Sequence, residues 1–404
     1  MTTAPITGAT RVRLHPLARR PDGEETIVGR TDTGEFIALP GIGARALDLL
    51  ATGATVDEAA QALLGETGED IDVADFVTEL LPLGFIAAVD DQPIPGPDPI
   101  RPSLPRLKPA HVRWLLHPAT AVAAFCLIAA ATVLALLSGE PLPSYHSLLW
   151  AETGSLVLLG QFLFGWAEIG LHELAHLATA RAAGVPGRVR LGTRLQFLVA
   201  QTDVTGIWAA PRRHRLTVHL AGMTCDALVA GAAWTAHLVT APGSLPSRVL
   251  AAVATTALAL LPPQCLLFMR TDVYFVLQDL TGSRNLYRDS ITHLRHQARR
   301  LLRALRQRAV PADPLKHLPA REVRVVRWYA VFLAAGTAGC LAAAATITLP
   351  VDVHLIAEGV RHIAGGTGSS IADGLITVAV LATVHLLWAY TWWRNHRLRL
   401  RLRT

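Results

Sequence analysis

The sequence predicts a polytopic α-helical membrane protein of about six transmembrane helices, with a small α+β winged-helix-like domain at its N-terminus. Three observations lead there. Apolar residues make up 51% of the chain and mean hydropathy is +0.36, too apolar for an ordinary soluble protein. Long apolar segments recur from residue 119 to residue 393, and the basic residues collect in alternate gaps between them. Residues 1–90, by contrast, carry charges throughout and hold no long apolar run.

Within residues 1–90, Thr26-Ile27-Val28-Gly29 and Glu35-Phe36-Ile37-Ala38-Leu39 read as strands joined by the turn Asp32-Thr33-Gly34. Ala44 to Leu50 has a helical pattern. Thr55 caps a second helix, with Glu58 three residues on as a capping box. Ile71 to Leu81 is a third helix, ended by Pro82 and Gly84, and Phe85 to Val89 is a last strand. This order, with Leu39-Pro40-Gly41 through Leu49-Leu50, Val56-Asp57-Glu58-Ala59 and Leu80-Leu81-Pro82-Leu83-Gly84-Phe85-Ile86, resembles the PqqD-like domain. The resemblance implies a module that recognises leader peptides in ribosomal peptide maturation, where an extended peptide adds to a sheet edge. DNA binding is not expected, because the segment is acidic, with Glu24, Glu25, Asp57, Glu58, Glu66, Glu69, Asp70, Asp72, Asp75 and Glu79.

Residues 91–112 are rich in proline and read as a stiff, extended linker. The membrane part, 113–404, holds apolar segments near 119–137, 155–180, 216–240, 248–269, 328–349 and 371–393. Regions 101–113, 181–215, 283–327 and 394–403 contain 28 of the 37 Lys and Arg residues, while the alternating gaps contain only Arg248 and Arg361. The positive-inside rule then places both termini in the cytoplasm of a multi-pass inner-membrane protein. No apolar h-region precedes these segments, so no cleavable signal peptide is expected. Arg295 to Arg308 reads as a basic amphipathic helix on the inner leaflet or a solvated charged helix, and Val351 to Ile363 as a short interfacial helix outside. Cys126, Cys225, Cys265 and Cys340 fall in apolar segments without disulfide or zinc-knuckle spacing, and read as small core residues.

The chemistry concentrates in the second segment, which contains His172-Glu173-Leu174-Ala175-His176. Four apart on a helix, His172 and His176 share a face and can hold one Zn²⁺, leaving room for a third ligand and a water. Glu173 can take a proton from that water. Ionisable groups at membrane depth are costly and usually functional. Orientation brings a third ligand to the same depth, since segments two and four both run inward. The first ends at Arg181 with the histidines, and the second ends at Met269-Arg270-Thr271-Asp272 after Pro262-Pro263 break it. Asp272 is therefore the expected carboxylate ligand. His219, Asp226 and His237 on the third segment read as satisfied polar helix contacts, or one of them lies near the metal. Glu168, one turn before His172, is either a partner of the ligands or a pore-lining carboxylate.

Three blocks make the chain similar to the site-2 protease family of intramembrane zinc metallopeptidases, and more closely to its peptide zinc metalloprotease subgroup. They are His172 to Arg190, Gln201 to Trp208 running on to His219-Leu220-Ala221-Gly222, and Thr271 to Leu280. The resemblance covers about 155–290 and implies a site-2-protease-like core in segments two to four, with Asp272 as third zinc ligand. Val273 stands where the family usually has Gly, and upstream only Pro262-Pro263-Gln264 remains of its Asn and Pro motif. Between segments two and three, Val189 to Val204 alternates apolar and polar residues, as one or two strands whose edge could pair with an unwound substrate.

Together these readings predict a zinc metalloendopeptidase in the membrane with Glu173 as base and His172, His176 and Asp272 as ligands. Its substrate would be a peptide or leader peptide, with partners encoded in the same biosynthetic cluster and the lipid bilayer around it. No nucleic-acid partner is expected. The residues that bind substrate are not legible. Two other functions fit the same motifs: a regulated intramembrane protease of a signalling pathway, and a non-proteolytic membrane peptide-binding or export partner. An intact Glu173 argues against the second, because a structural metal site has no use for a base.

Overall fold

A computed structural model describes residues 5–283, 285–305, 312–316 and 318–401. The chain is mostly helical, with small antiparallel sheets, and divides into two compact units. The first is built on residues up to Leu116 together with Leu177–Arg188 and Thr202–Arg215. The second comprises His117–His176, Val189–Gln201 and the chain from Leu216 onward.

The first unit opens with β1 (Val12–Leu14), β2 (Ala18–Asp22), β3 (Glu25–Arg30) and β4 (Glu35–Pro40). Helices α1 (Gly41–Ala51), α2 (Val56–Thr67) and α3 (Val73–Leu80) follow, then β5 (Ile86–Val89) and β6 (Gln92–Pro93). Two three-stranded antiparallel sheets result, in orders β2-β3-β4 and β1-β5-β6. Thr55 and Glu58 form the reciprocal capping box at the start of α2, and Asp72 caps α3 through the Asp75 N–H. Val28, Leu47, Leu50, Leu63, Val77 and Phe85 form the centre of the core, each at most 1% exposed. The charged exception is buried Arg30, whose guanidinium makes paired bonds to Asp32 and donates to the Gly84 carbonyl at 2.9 Å, tying β3 to the turn after α3.

Strands β1, β2 and β6 add to the sequence expectation. The proline-rich stretch is also less free than a spacer, because its first part is bonded to this unit. Gln92–Pro93 pairs with β5, the Ile94 N–H donates to the Ala87 carbonyl, and the Ile100 N–H donates to the Asp32 carbonyl. Its last part includes α4, a single turn at Pro109–Val112.

Helix α5 (Pro118–Leu137) is apolar all round, yet none of its residues is buried, and Phe125 and Leu137 are 71% and 79% exposed. An apolar cylinder so little covered by protein is long and apolar enough to cross a membrane. Helix α6 (Gly154–Ala182) carries the histidine motif. A hairpin of β7 (Arg188–Arg194) and β8 (Phe197–Asp203) leads to α7 (Arg212–Val239) and α8 (Leu245–Ala259). The fourth apolar segment is helical only to Ala259. Pro262 and Pro263 cannot continue it, and short 3₁₀ turns at Pro262–Cys265 and Leu267–Met269 carry the chain to α9 (Asp272–Thr281).

Helix α10 (Leu286–Leu305) is the basic amphipathic stretch. It begins earlier than expected, and the rest of that expectation, residues 306–308, lies outside the described residues. It packs on α11 (Ala320–Ala343), with the Ser290 hydroxyl donating to the Val326 carbonyl. The site-bearing loop is anchored to the same cluster of Phe268, Tyr274, Leu286, Tyr329 and Leu333, where the Tyr329 hydroxyl donates to the Leu267 carbonyl at 2.8 Å. A five-residue π turn, Ala344–Thr348, joins α11 to α12 (Leu349–Gly365), which packs antiparallel on α13 (Gly368–Arg401). The stretch expected as a separate interfacial helix is therefore part of a helical hairpin. Cys126 and Cys265 are exposed rather than core residues, and all four cysteines are free.

Among the described residues, six helical stretches, counted together with the 3₁₀ and π turns that extend them, are long and apolar enough to cross a membrane: Pro118–Leu137, Gly154–Ala182, Arg212–Val239, Leu245–Cys265, Ala320–Gly365 and Gly368–Arg397.

Candidate metal centre

Helix α6 presents His172 and His176 one turn apart on its buried face, at 6% and 7% exposure. Asp272 reaches the same point from the first turn of α9. The loop before it fixes that position, since the Thr271 hydroxyl donates to the Gln264 carbonyl and the Asp272 N–H donates to Gln264 Oε1. His172 Nε2 and His176 Nε2 are 3.1 Å apart, and Asp272 Oδ2 lies 3.0 Å from the first and 3.1 Å from the second. Donor atoms about 2.0 Å from a tetrahedral zinc stand roughly 3.3 Å from one another. The triangle is thus close to the face of such a site, in a donor set, two imidazoles and a carboxylate, that suits zinc.

The other imidazole nitrogens support the same assignment. His172 Nδ1 lies 2.8 Å from Asp226 Oδ2, and His176 Nδ1 lies 2.7 Å from the Val218 carbonyl. Both partners are acceptors, so each Nδ1 donates a proton there, which favours the orientation that presents Nε2 to a metal. Burial pushes the Asp272 carboxyl up. The charges and hydrogen bonds of His176 and His172 outweigh that and hold the group below the usual carboxylate range, so it is an anion.

Asp226, completely buried on α7, is the residue that sequence reasoning placed least well. It is bonded to a candidate ligand rather than merely tying helices together. Glu168 lies near enough to act on it electrostatically, and one carboxylate oxygen of each has no hydrogen-bond partner among the described residues. His219 belongs elsewhere, stacked on Phe275 at 5.4 Å and 3.9 Å from Asp279 Oδ2, where α7 meets α9. His237 is a satisfied helix contact, bonded to Ser247 at the start of α8.

Arg194 carries no motif in the sequence, yet it sits at the end of β7 beside the site. Burial pulls its guanidinium below the ordinary value. The negative charges of Asp272 and Glu173 oppose that, and Arg270 adds to it. The turn after Arg194 is held in place, because the Leu195 carbonyl accepts from Trp388 Nε1 at 3.2 Å and Gln196 bonds to Cys340. Glu173 is itself buried, at 8% exposure, next to the first histidine.

Gly222 explains how α7 comes so close. A Cβ there would collide with the His172 ring. Gly222→Ala should raise intrinsic helix propensity by about 1 kcal/mol, yet displace the imidazole. A misplacement of about 1 Å costs on the order of 10²-fold in rate. Metal content together with turnover of the purified variant checks this: unchanged values for both would show that the ring has room to spare.

Comparison of the chain with protein-family models, with curated proteins and with solved structures finds no match.

Proposed function

We propose that this chain is an intramembrane zinc metallopeptidase of the site-2 protease type, with α6, α7 and α8 as its core and a PqqD-like N-terminal domain that captures a peptide. The observation that carries the reading is the convergence of His172 Nε2, His176 Nε2 and Asp272 Oδ2 to within 3.1 Å of one another, with Glu173 adjacent on the same helix. When bound there, zinc supplies Lewis-acid polarisation of a carbonyl and acidifies water. Glu173 takes the proton of the attacking water and returns it to the leaving amine. Arg194, within electrostatic range of Asp272 and Glu173, adds a cation to the surroundings of the site. Asp226 and the Val218 carbonyl keep the two imidazoles in the tautomer that presents Nε2. The substrate is a peptide or membrane-associated segment, in this reading a leader of a ribosomally made, modified peptide.

The test is cleavage by the purified full chain of leader peptides encoded beside it, read by mass spectrometry for new termini. Chelation should remove the activity and zinc should restore it. Failure to cut both such leaders and single-span membrane substrates, with zinc bound, would overturn the reading.

The same proposal places the protein in the cytoplasmic membrane with both termini inside, because basic residues fill alternate gaps. Single cysteines at Ser144 and Gln297, in a cysteine-free background, should label from opposite sides. Labelling from one side would require a different number of crossings.

A further inference from the structure

We propose that the groove at the start of α11 holds the headgroup of an anionic phospholipid. The groove has a volume of about 690 Å³ and runs between Asp313, Leu315, Lys316 and Leu318 on one side and one stripe of α11 on the other. Arg324 and Arg327, like Trp328 and Val331, are three apart, and Arg324 lies four before Trp328 and Arg327 four before Val331, so they share that stripe. Two of its positions are cationic and the next two are apolar. Trp328 and Val331 are 74% and 63% exposed on a helix apolar enough to cross a membrane. The change from charge to apolar surface within one helical turn is the profile of a lipid, with a charged head and a hydrocarbon tail, and an exposed Trp at that border is typical of the membrane interface.

Charge complementarity selects the head. Among the described residues, Lys316, Arg324 and Arg327 line the groove against a single carboxylate, Asp313, whose Oδ1 already accepts the Leu315 N–H at 3.0 Å and whose Oδ2 lies 3.9 Å from Arg327. Two positive charges are left over. A zwitterionic headgroup brings no net charge to them, whereas a phosphodiester with net negative charge does. The apolar stripe beside Trp328 and Val331 gives its acyl chain a path along α11, which a free phosphate would not use.

The experiment uses the full chain in phosphatidylcholine nanodiscs containing an equal mole fraction of either brominated phosphatidylglycerol or brominated phosphatidylcholine. The emission of Trp328 is taken as the difference between wild type and Trp328→Phe. Brominated phosphatidylglycerol should quench it at a lower mole fraction, by about fivefold for each uncompensated cation. The variant carrying Lys316→Gln, Arg324→Gln and Arg327→Gln should quench equally with both lipids. Arg299→Gln, exposed on α10 outside the groove, should keep the preference. Equal quenching in wild type, loss of the preference in Arg299→Gln, or its abolition by inorganic phosphate would each overturn the assignment. The readout is independent of peptide cleavage, so it stands whether or not the chain is a peptidase.

Discussion

Glu173→Gln is expected to keep the metal and lose turnover. The carboxylate is next in the chain to His172, but the converging donors are His172, His176 and Asp272, and Glu173 is not among them. Its removal therefore takes away a base and leaves the ligand triangle whole. General acid–base groups contribute about 10² to 10⁴-fold, and Gln can neither accept the proton from water nor return it to the leaving amine. The near-isosteric amide preserves packing at a site that is 8% exposed, so a change in fold should not contribute. Metal analysis of the purified variant and mass spectrometry of its peptide products separate the two effects. Turnover within threefold of wild type would remove Glu173 from the role of base. Loss of zinc would instead move it into the ligand set.

The sequence made the helical part of this site readable because two periodicities carry it. His172 and His176 at a spacing of four must share a face wherever α6 sits, and alternation of basic loops is enough to bring Asp272 to the same depth. What was not readable depends on packing between elements. Whether Asp226 meets solvent, lipid or His172 is decided by the rotation of α7 against α6, and that is set by Gly222, whose missing Cβ lets the helices approach. Arg194 comes within electrostatic range of Asp272 and Glu173 on a hairpin whose turn is bonded to Trp388 and Cys340, both more than 140 positions away. In the N-terminal unit β2 escaped notice for a local reason. Its residues Ala18-Arg19-Arg20-Pro21-Asp22 have no apolar alternation, and Pro21 argues against a strand except at an edge, which is where β2 lies. The π turn at Ala344–Thr348 has a composition no different from the helix around it.

Asp272→Ala and Asp226→Ala should both lower zinc affinity, by different amounts and for different reasons. Asp272 supplies one of three donor atoms, and without it two imidazoles remain, too few to complete a three-residue zinc site. Zinc should then be absent from the purified protein, and turnover with it. Asp226 gives no donor to the metal position. Its Oδ2 accepts from His172 Nδ1 at 2.8 Å and thereby fixes the tautomer and the ring, a kind of support whose loss typically costs 10 to 100-fold in metal affinity. An Asp226 that only tied helices together would leave zinc occupancy of Asp226→Ala near wild type, so the variant distinguishes the two roles. Asp226→Asn sharpens the test, because its amide oxygen can still accept the Nδ1 proton, and affinity should recover to near wild type. Competition with a zinc chelator measures all three variants on one scale. The expected order of affinity is wild type, then Asp226→Asn close behind, then Asp226→Ala, with Asp272→Ala last. Zinc retained in Asp272→Ala but lost in Asp226→Asn would make Asp226 the ligand and Asp272 its neighbour.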